Sequence, residues 1–317
     1  MEDYFKPTQI MKYYGYYRHD IFHLIKPDRC FTESFCIFNL VVNIVTFLVG
    51  VLGNGLVIWI TGHKMKKTVN TTWYLSLAVS DFIICVAFLP FYIILIFKEV
   101  CIREVFMCNF TFALIFIPLL SSIFLLVIIS VDRCVSVVFP VWSQTNRTIN
   151  KASIVVVLTW VSSAALSTRF MFADETHRHK IVASHFIGGF AVPFLIIFFC
   201  YSVMIPRLRT RRMISVSFKS LRVMTSLITM FFICWLPLHV FMLLPPNHIY
   251  YSTEVIRTGL MVGITLATVH SFLRPVLYVC MGNNVPSTLK RSIVGRIENA
   301  LGEDDPPTTS HETSTHL

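Results

Sequence analysis

The sequence predicts an all-α protein, a bundle of seven membrane-crossing helices followed by a short amphipathic helix. Three observations carry this. The 317 residues are 55% hydrophobic and only 14% charged, with mean hydropathy +0.68, whereas a soluble domain has roughly 25% charged residues. Seven apolar stretches are each long enough to reach across a hydrocarbon core of about 30 Å. Short polar segments separate them, and no internal repeat or second domain is visible.

The chain divides into a polar, tyrosine-rich tail over 1–35, a seven-span unit over 36–282, an amphipathic segment over 283–301 and an acidic, Ser/Thr-rich end over 302–317. The first tail holds no apolar run of the kind a cleaved leader has, so insertion is expected to rely on the first span. The spans are expected at Cys36–Ile60, Trp73–Phe97, Val105–Val131, Ala152–Thr168, Ile181–Ile205, Val223–Leu244 and Thr258–Met281. An odd number of spans puts the two termini on opposite sides. With the N-terminus outside, the three inner loops hold 12 Lys and Arg against 6 in the three outer ones, which favours an extracellular N-terminus and a cytoplasmic C-terminus. The formal charge of +10 is spread through these loops rather than gathered in a stripe, so it points to topology and not to nucleic acid.

After the seventh span, Leu289, Ile293, Ile297 and Leu301 recur at i, i+4 with Lys290, Arg291 and Arg296 between them. That pattern suits a helix along a membrane surface with its cations toward anionic headgroups. The stretch from Gly302 to Leu317 is expected to be disordered. Its Thr308, Thr309, Ser310, Thr313, Ser314 and Thr315 are candidate phosphorylation sites, with a merely solubilising end as the plain alternative.

Several residues stand out because polar groups inside lipid are costly. Asp81 sits mid-span, Asn54 lies in Gly53-Asn54-Gly55, and Ser122 is in the third span. The third stretch ends in Asp132-Arg133-Cys134, after about 40 Å of uncharged helix. Trp160 marks the fourth span, Pro193 and Tyr201 the fifth, and Cys234-Trp235-Leu236-Pro237 the sixth. Pro237 removes one main-chain hydrogen bond and kinks its helix, giving the inner half a hinge. Arg274-Pro275-Val276-Leu277-Tyr278 closes the seventh span.

Taken in order across all seven spans, these residues resemble those of rhodopsin-like G-protein-coupled receptors. Pro140-Val141-Trp142-Ser143-Gln144 with Arg147-Thr148, Phe218 to Val223, Leu277 to Gly282 and Ile297 to Asp304 are similar to the chemoattractant branch, which includes the formyl peptide, chemerin and chemoattractant-type prostaglandin D2 receptors. The resemblance covers about residues 36 to 305. It implies a plasma-membrane receptor, not an enzyme and without a cofactor, that couples to a Gi-type G protein, recruits arrestin through a phosphorylated tail, and contacts membrane lipids. Asp132, Arg133, Tyr201, Trp235, Pro237 and Tyr278 would serve activation and coupling, with Arg133 held by its acid at rest and facing the G protein later. Asn54, Asp81 and Ser122 resemble the buried cluster that holds sodium in such receptors.

Three features depart from that pattern. Cys108 is present at the top of the third span, but Thr168 to Ser184 holds no cysteine to pair with it; Cys101 and Cys30 are the other candidates, and spacing alone does not choose. The seventh span has Arg274 where the family has asparagine. A buried arginine needs an anionic partner, so an Asp81–Arg274 ion pair with His270 one turn outward is expected in place of sodium. The outer ends supply Tyr92, Leu95, Phe116, His185, His239 and Met261 as an aromatic, largely neutral pocket, with Arg169, Lys180 and Arg257 at its rim. This suits a peptide C-terminus or a fatty-acid carboxylate above an apolar tail. Phe116 replaces the acid of the formyl peptide receptors, which disfavours formyl-methionyl ligands.

Weaker signals add little. Asn109-Phe110-Thr111 fits the glycosylation pattern but lies at a helix top; Asn70-Thr71-Thr72 and Asn146-Arg147-Thr148 fit it on the inner side. Tyr13, Tyr14, Tyr16 and Tyr17 have few flanking acids for sulfation, and His177-Arg178-His179 reads as an exposed charge cluster before a metal site. The seventh span has no lysine for a retinal Schiff base. A scavenger that internalises ligand without signalling is the rival reading; a transporter would show repeat symmetry, which the sequence lacks.

Overall fold

In lipid the main chain must satisfy its own polar groups, so each apolar stretch has little choice but to be helical. The computed structural model describes residues 34–97, 105–171, 183, 184, 186–210, 215–243, 253–281 and 292–301. Helix α1 runs from Ser34 to Trp59 and continues as one π turn, Ile60–Lys64. Then follow α2 (Val69–Phe97), α3 (Val105–Val138), the loop helix α4 (Pro140–Asn146), α5 (Ile149–Met171), α6 (Val192–Thr210, entered through a π turn over Ile187–Ala191), α7 (Ser215–Leu243), α8 (Thr253–Met281) and α9 (Ile293–Leu301). Seven of these are long and apolar enough to cross a membrane, and no strand occurs among the described residues. The short helix expected after the seventh span is α9.

Several helices outrun the apolar stretches that announced them. The third continues seven residues past Val131, and the sixth begins eight residues before Val223. Hydropathy registers only the part in hydrocarbon, while i to i−4 bonding continues into water wherever the local sequence tolerates it. Asp132 and Arg133 therefore lie within a helix, not at its end. Caps set the breaks: Thr71 N–H donates to Thr68 Oγ1 at 3.2 Å and Thr68 N–H to Thr71 Oγ1 at 2.8 Å, a reciprocal pair that opens α2.

The packing is inside-out relative to a soluble protein. Ile154, Val157, Leu158 and Val161 of α5 are well exposed at helical spacing, as are Leu195, Phe198 and Phe199 of α6. Asn54, Ser80, Asp81, Ser121, Ser122, Ser163, His270, Ser271 and Arg274 are buried. A stripe of bare aliphatic and aromatic side chains with polar groups turned inward is what lipid selects. The third span is central, packing on the second, fourth and fifth, while the first closes the ring against the second and seventh. Gly263 lets the seventh approach the sixth: a Cβ there would lie 2.6 Å from Leu238 Cα.

Candidate functional site

The described residues bring together three clusters along the bundle axis. The deepest is an ion pair. Arg274 of α8 donates from Nη1 to Asp81 Oδ2 of α2 at 2.9 Å, and both side chains are 1% exposed. Two opposite charges brought this close in a low-dielectric interior attract strongly, against a desolvation cost of several kcal/mol per ion. Among the described residues, Asp81 Oδ1, Arg274 Nε and Nη2, Ser121 and Ser122 Oγ, His270 Nε2 and Trp235 Nε1 are buried without a protein hydrogen-bond partner. The guanidinium thus occupies one oxygen of the carboxylate and leaves the other without a protein donor among the described residues. Asn54 is buried as well. Its Nδ2 donates to Gly50 O and to Ser271 O, both at 3.0 Å, and so fastens the first span to the seventh.

Above this lies an aromatic column. Phe231 stacks on Trp235 with centroids 6.1 Å apart and meets His270 edge-on at 5.6 Å. His239, one turn outward from Trp235, meets Phe190 edge-on at 4.7 Å and Phe186 at 5.9 Å. Phe232 joins Phe190 and Phe194 in the same way. Rings at these angles gain beyond their buried area and resist sliding past one another. Phe116 packs against this core, and Pro237 lies inside α7 between Trp235 and His239. His239 and Trp235 are in ring contact with centroids 6.2 Å apart, one on each side of that proline in the chain.

The third cluster is at the inner mouth. Here the structure differs from what the resemblance implies, because Asp132 does not hold Arg133. Its carboxylate is taken by Arg147, whose Nε donates to Oδ1 at 2.9 Å and to Oδ2 at 3.1 Å, and whose Nη2 donates to Oδ2 at 2.9 Å. Arg147 Nη2 also donates to Asn70 Oδ1. Loop helix α4 makes this possible: Pro140 starts it at a position where a missing N–H is harmless, and Ser143 lies 3.1 Å from Ser136 of α3, oxygen to oxygen. The turn then delivers Arg147 back onto the third span. Arg133 is half-buried, and its Nε has no partner among the described residues. Tyr278 lies buried inward of this level, edge-on to Tyr74 at 6.0 Å, and Tyr201 is half-buried against the same core.

Trp160 Nε1 donates to Ser76 Oγ at 3.2 Å and ties the fourth span to the second. Neither Ser76 nor Asn70 was singled out for a contact by the sequence, and Asn70 is 2% exposed, so its sequon is inaccessible. No local signal marks them; both meet partners more than 70 residues away. Of the pocket residues, only Phe116 and His239 have described side chains. The side chains of Tyr92, Leu95, Arg169, Arg257, Met261 and Cys108 lie outside the described residues, as do Lys180, His185, Cys30, Cys101, His177 to His179, the N-terminal tyrosines and the six tail phosphosites.

The family described as 7 transmembrane receptor (rhodopsin family) matches residues 53–278. Among curated relatives, chemerin-like receptor 1 of Homo sapiens is 36% identical over 306 residues, spanning 84% of this chain and 81% of the relative. Chemerin-like receptor 1 of Sus scrofa is 35% identical over 306 residues, 84% of this chain and 83% of the relative. N-formyl peptide receptor 3 of Macaca mulatta is 33% identical over 323 residues, 88% of this chain and 89% of the relative.

Proposed function

The chain belongs to the rhodopsin family of seven-transmembrane receptors, and from that premise we propose that it is a cell-surface chemoattractant receptor, opened by an extracellular peptide or carboxylate-bearing lipid and coupled to a Gi-type G protein. In this reading the N-terminus is outside and the C-terminal tail is in the cytoplasm, available to arrestin once phosphorylated. The relatives named for chemerin and for formyl peptides support the class of ligand. Phe116 in place of an acid turns the reading away from formyl-methionyl peptides.

The observation that carries the proposal is the unbroken run of buried contacts from His239 through Trp235 and Phe231 to His270, directly above the Asp81–Arg274 pair. Ligand pressing on the outer pocket shifts His239 and Trp235. The hinge at Pro237 converts that shift into an outward swing of the inner half of the sixth span. The swing uncovers Arg133, which receives the G protein. Arg147 keeps Asp132 occupied, so Arg133 need not first break from its own acid.

The test is nucleotide exchange on a Gi-type G protein in membranes bearing the full chain, screened with chemoattractant peptides and long-chain lipid acids, beside an Arg133→Ala control. Exchange that rises with one ligand class and vanishes in the control supports the reading. A ligand that binds and is internalised with no exchange above the control would favour the scavenger instead.

A further inference from the structure

Helix α9 does not lead away from the bundle. Its first residue, Ile293, is 56% exposed, whereas Ile297, Ala300 and Leu301 toward its far end are 1%, 3% and 2% exposed. Those three belong to the continuous apolar core of the bundle. The helix packs against the seventh and sixth spans, the second, and the π turn that ends the first. Lys64 Nζ of that turn meets Glu298 Oε1 at 3.0 Å. Nine residues are too few to hold a helix in water unaided, so this one owes its order to the face it buries. The face it buries is protein.

Four elements meet over this helix, and one of them is the sixth span, which must move for a cleft to open. We propose that Ile293–Leu301 is an intramolecular plug: its Ile297, Ala300 and Leu301 edge is wedged under the inner ends of the sixth and seventh spans, and it holds the receptor closed until it is displaced. The apolar edge supplies the hold. The Lys64–Glu298 pair, half-exposed and therefore weak, sets the helix's direction. The inference rests on the receptor reading above, since a plug matters only where a cleft opens.

Its test uses the full chain in lipid nanodiscs. Single cysteines are introduced as Ile293→Cys and Ile297→Cys and labelled with a water-soluble maleimide, above the background of the unaltered protein. A helix lying on lipid presents both positions on one face and labels them alike. The plug protects Ile297→Cys at least tenfold relative to Ile293→Cys, and adding Leu301→Glu removes the difference. In the same membranes Leu301→Glu raises basal exchange several-fold, in an Arg133-dependent way. Glu298→Lys, on the exposed pair, is a milder second variant with a smaller rise that Lys64→Glu reverses. Equal labelling at the two positions overturns the plug and leaves the receptor reading standing, as does Arg133-dependent exchange that neither variant raises. Absence of Arg133-dependent exchange from every variant, despite protection at 297, overturns the receptor reading, and the inhibitory role falls with it.

Discussion

Arg274 and Asp81 face each other 2.9 Å apart across the seventh and second spans, with almost no solvent access to either. Removing one partner leaves a lone charge in the interior, which costs about 3–5 kcal/mol, whereas removing both charges together is far milder. Arg274→Asn and Asp81→Asn are therefore each expected to lower the midpoint of thermal unfolding in detergent sharply, and the double variant to lie closer to the parent than either. Arg274→Asn should also gain stabilisation by sodium that the parent lacks, because the carboxylate regains an open face. A double variant as unstable as the singles, or an Arg274→Asn protein indifferent to sodium, would refute the replacement of ion by guanidinium.

Arg147 is expected to matter more for signalling than its place in a loop suggests. Arg147→Ala removes charge-assisted bonds to a partly buried carboxylate, a loss of about 1.5–3 kcal/mol in stability. It also releases Asp132 to capture the neighbouring Arg133, so basal and ligand-driven exchange should both fall. Asp132→Asn should not raise basal exchange, since no Asp132–Arg133 pair exists to be broken. A rise with Asp132→Asn would restore the pairing that the family resemblance implies.

How far the sequence reached follows from what each feature depends on. The spans were legible because lipid imposes one composition over a fixed length, and Asp81, Trp235 and Pro237 stood out as costly or unusual residues at membrane depth. The Asp81–Arg274 contact was legible for the same reason: a buried cation with one carboxylate at its level has a single place to go. The Asp132–Arg147 pair was not. It depends on how Pro140 and the seven-residue helix it opens turn the chain, and both charges look equally at home in water. The burial of Ile297 and Leu301 was hidden too, because an i, i+4 apolar edge fits lipid and protein equally well and the pattern does not name the surface it meets.

The bond from Trp160 to Ser76 is a neutral side-chain hydrogen bond between the fourth and second spans. Hydrogen bonds between membrane helices contribute about 0.6 kcal/mol on average, because the unfolded chain in lipid also finds partners. Ser76→Ala should thus be nearly harmless alone. A double-mutant cycle with Trp160→Phe, read from unfolding in detergent, should return a coupling of about that size. A coupling several times larger would mean that the bond belongs to a wider network than the described residues contain.

Gly263 offers a sharper test of how closely the sixth and seventh spans must approach. A Cβ at this position would fall 2.6 Å from Leu238 Cα and 2.8 Å from its backbone nitrogen. Those atoms belong to the helix backbone one residue past Pro237, so no rotamer change relieves the clash and the helices must separate. Overpacking of this kind costs about 1–3 kcal/mol. Gly188, in the turn leading into the fifth span, has nothing within 4 Å of the corresponding position and serves as the control, with Gly188→Ala expected to unfold with the parent. On the proposed mechanism, separation at Gly263 also prises the hinge, because it loosens the outer half of the sixth span where His239 and Trp235 would pass on pressure from the pocket. Gly263→Ala should therefore weaken ligand-driven exchange more than basal exchange, measured on the same membranes and normalised to surface protein. If both fall in equal proportion, the clash acts on stability alone, and the close approach has no part in carrying the signal past Pro237.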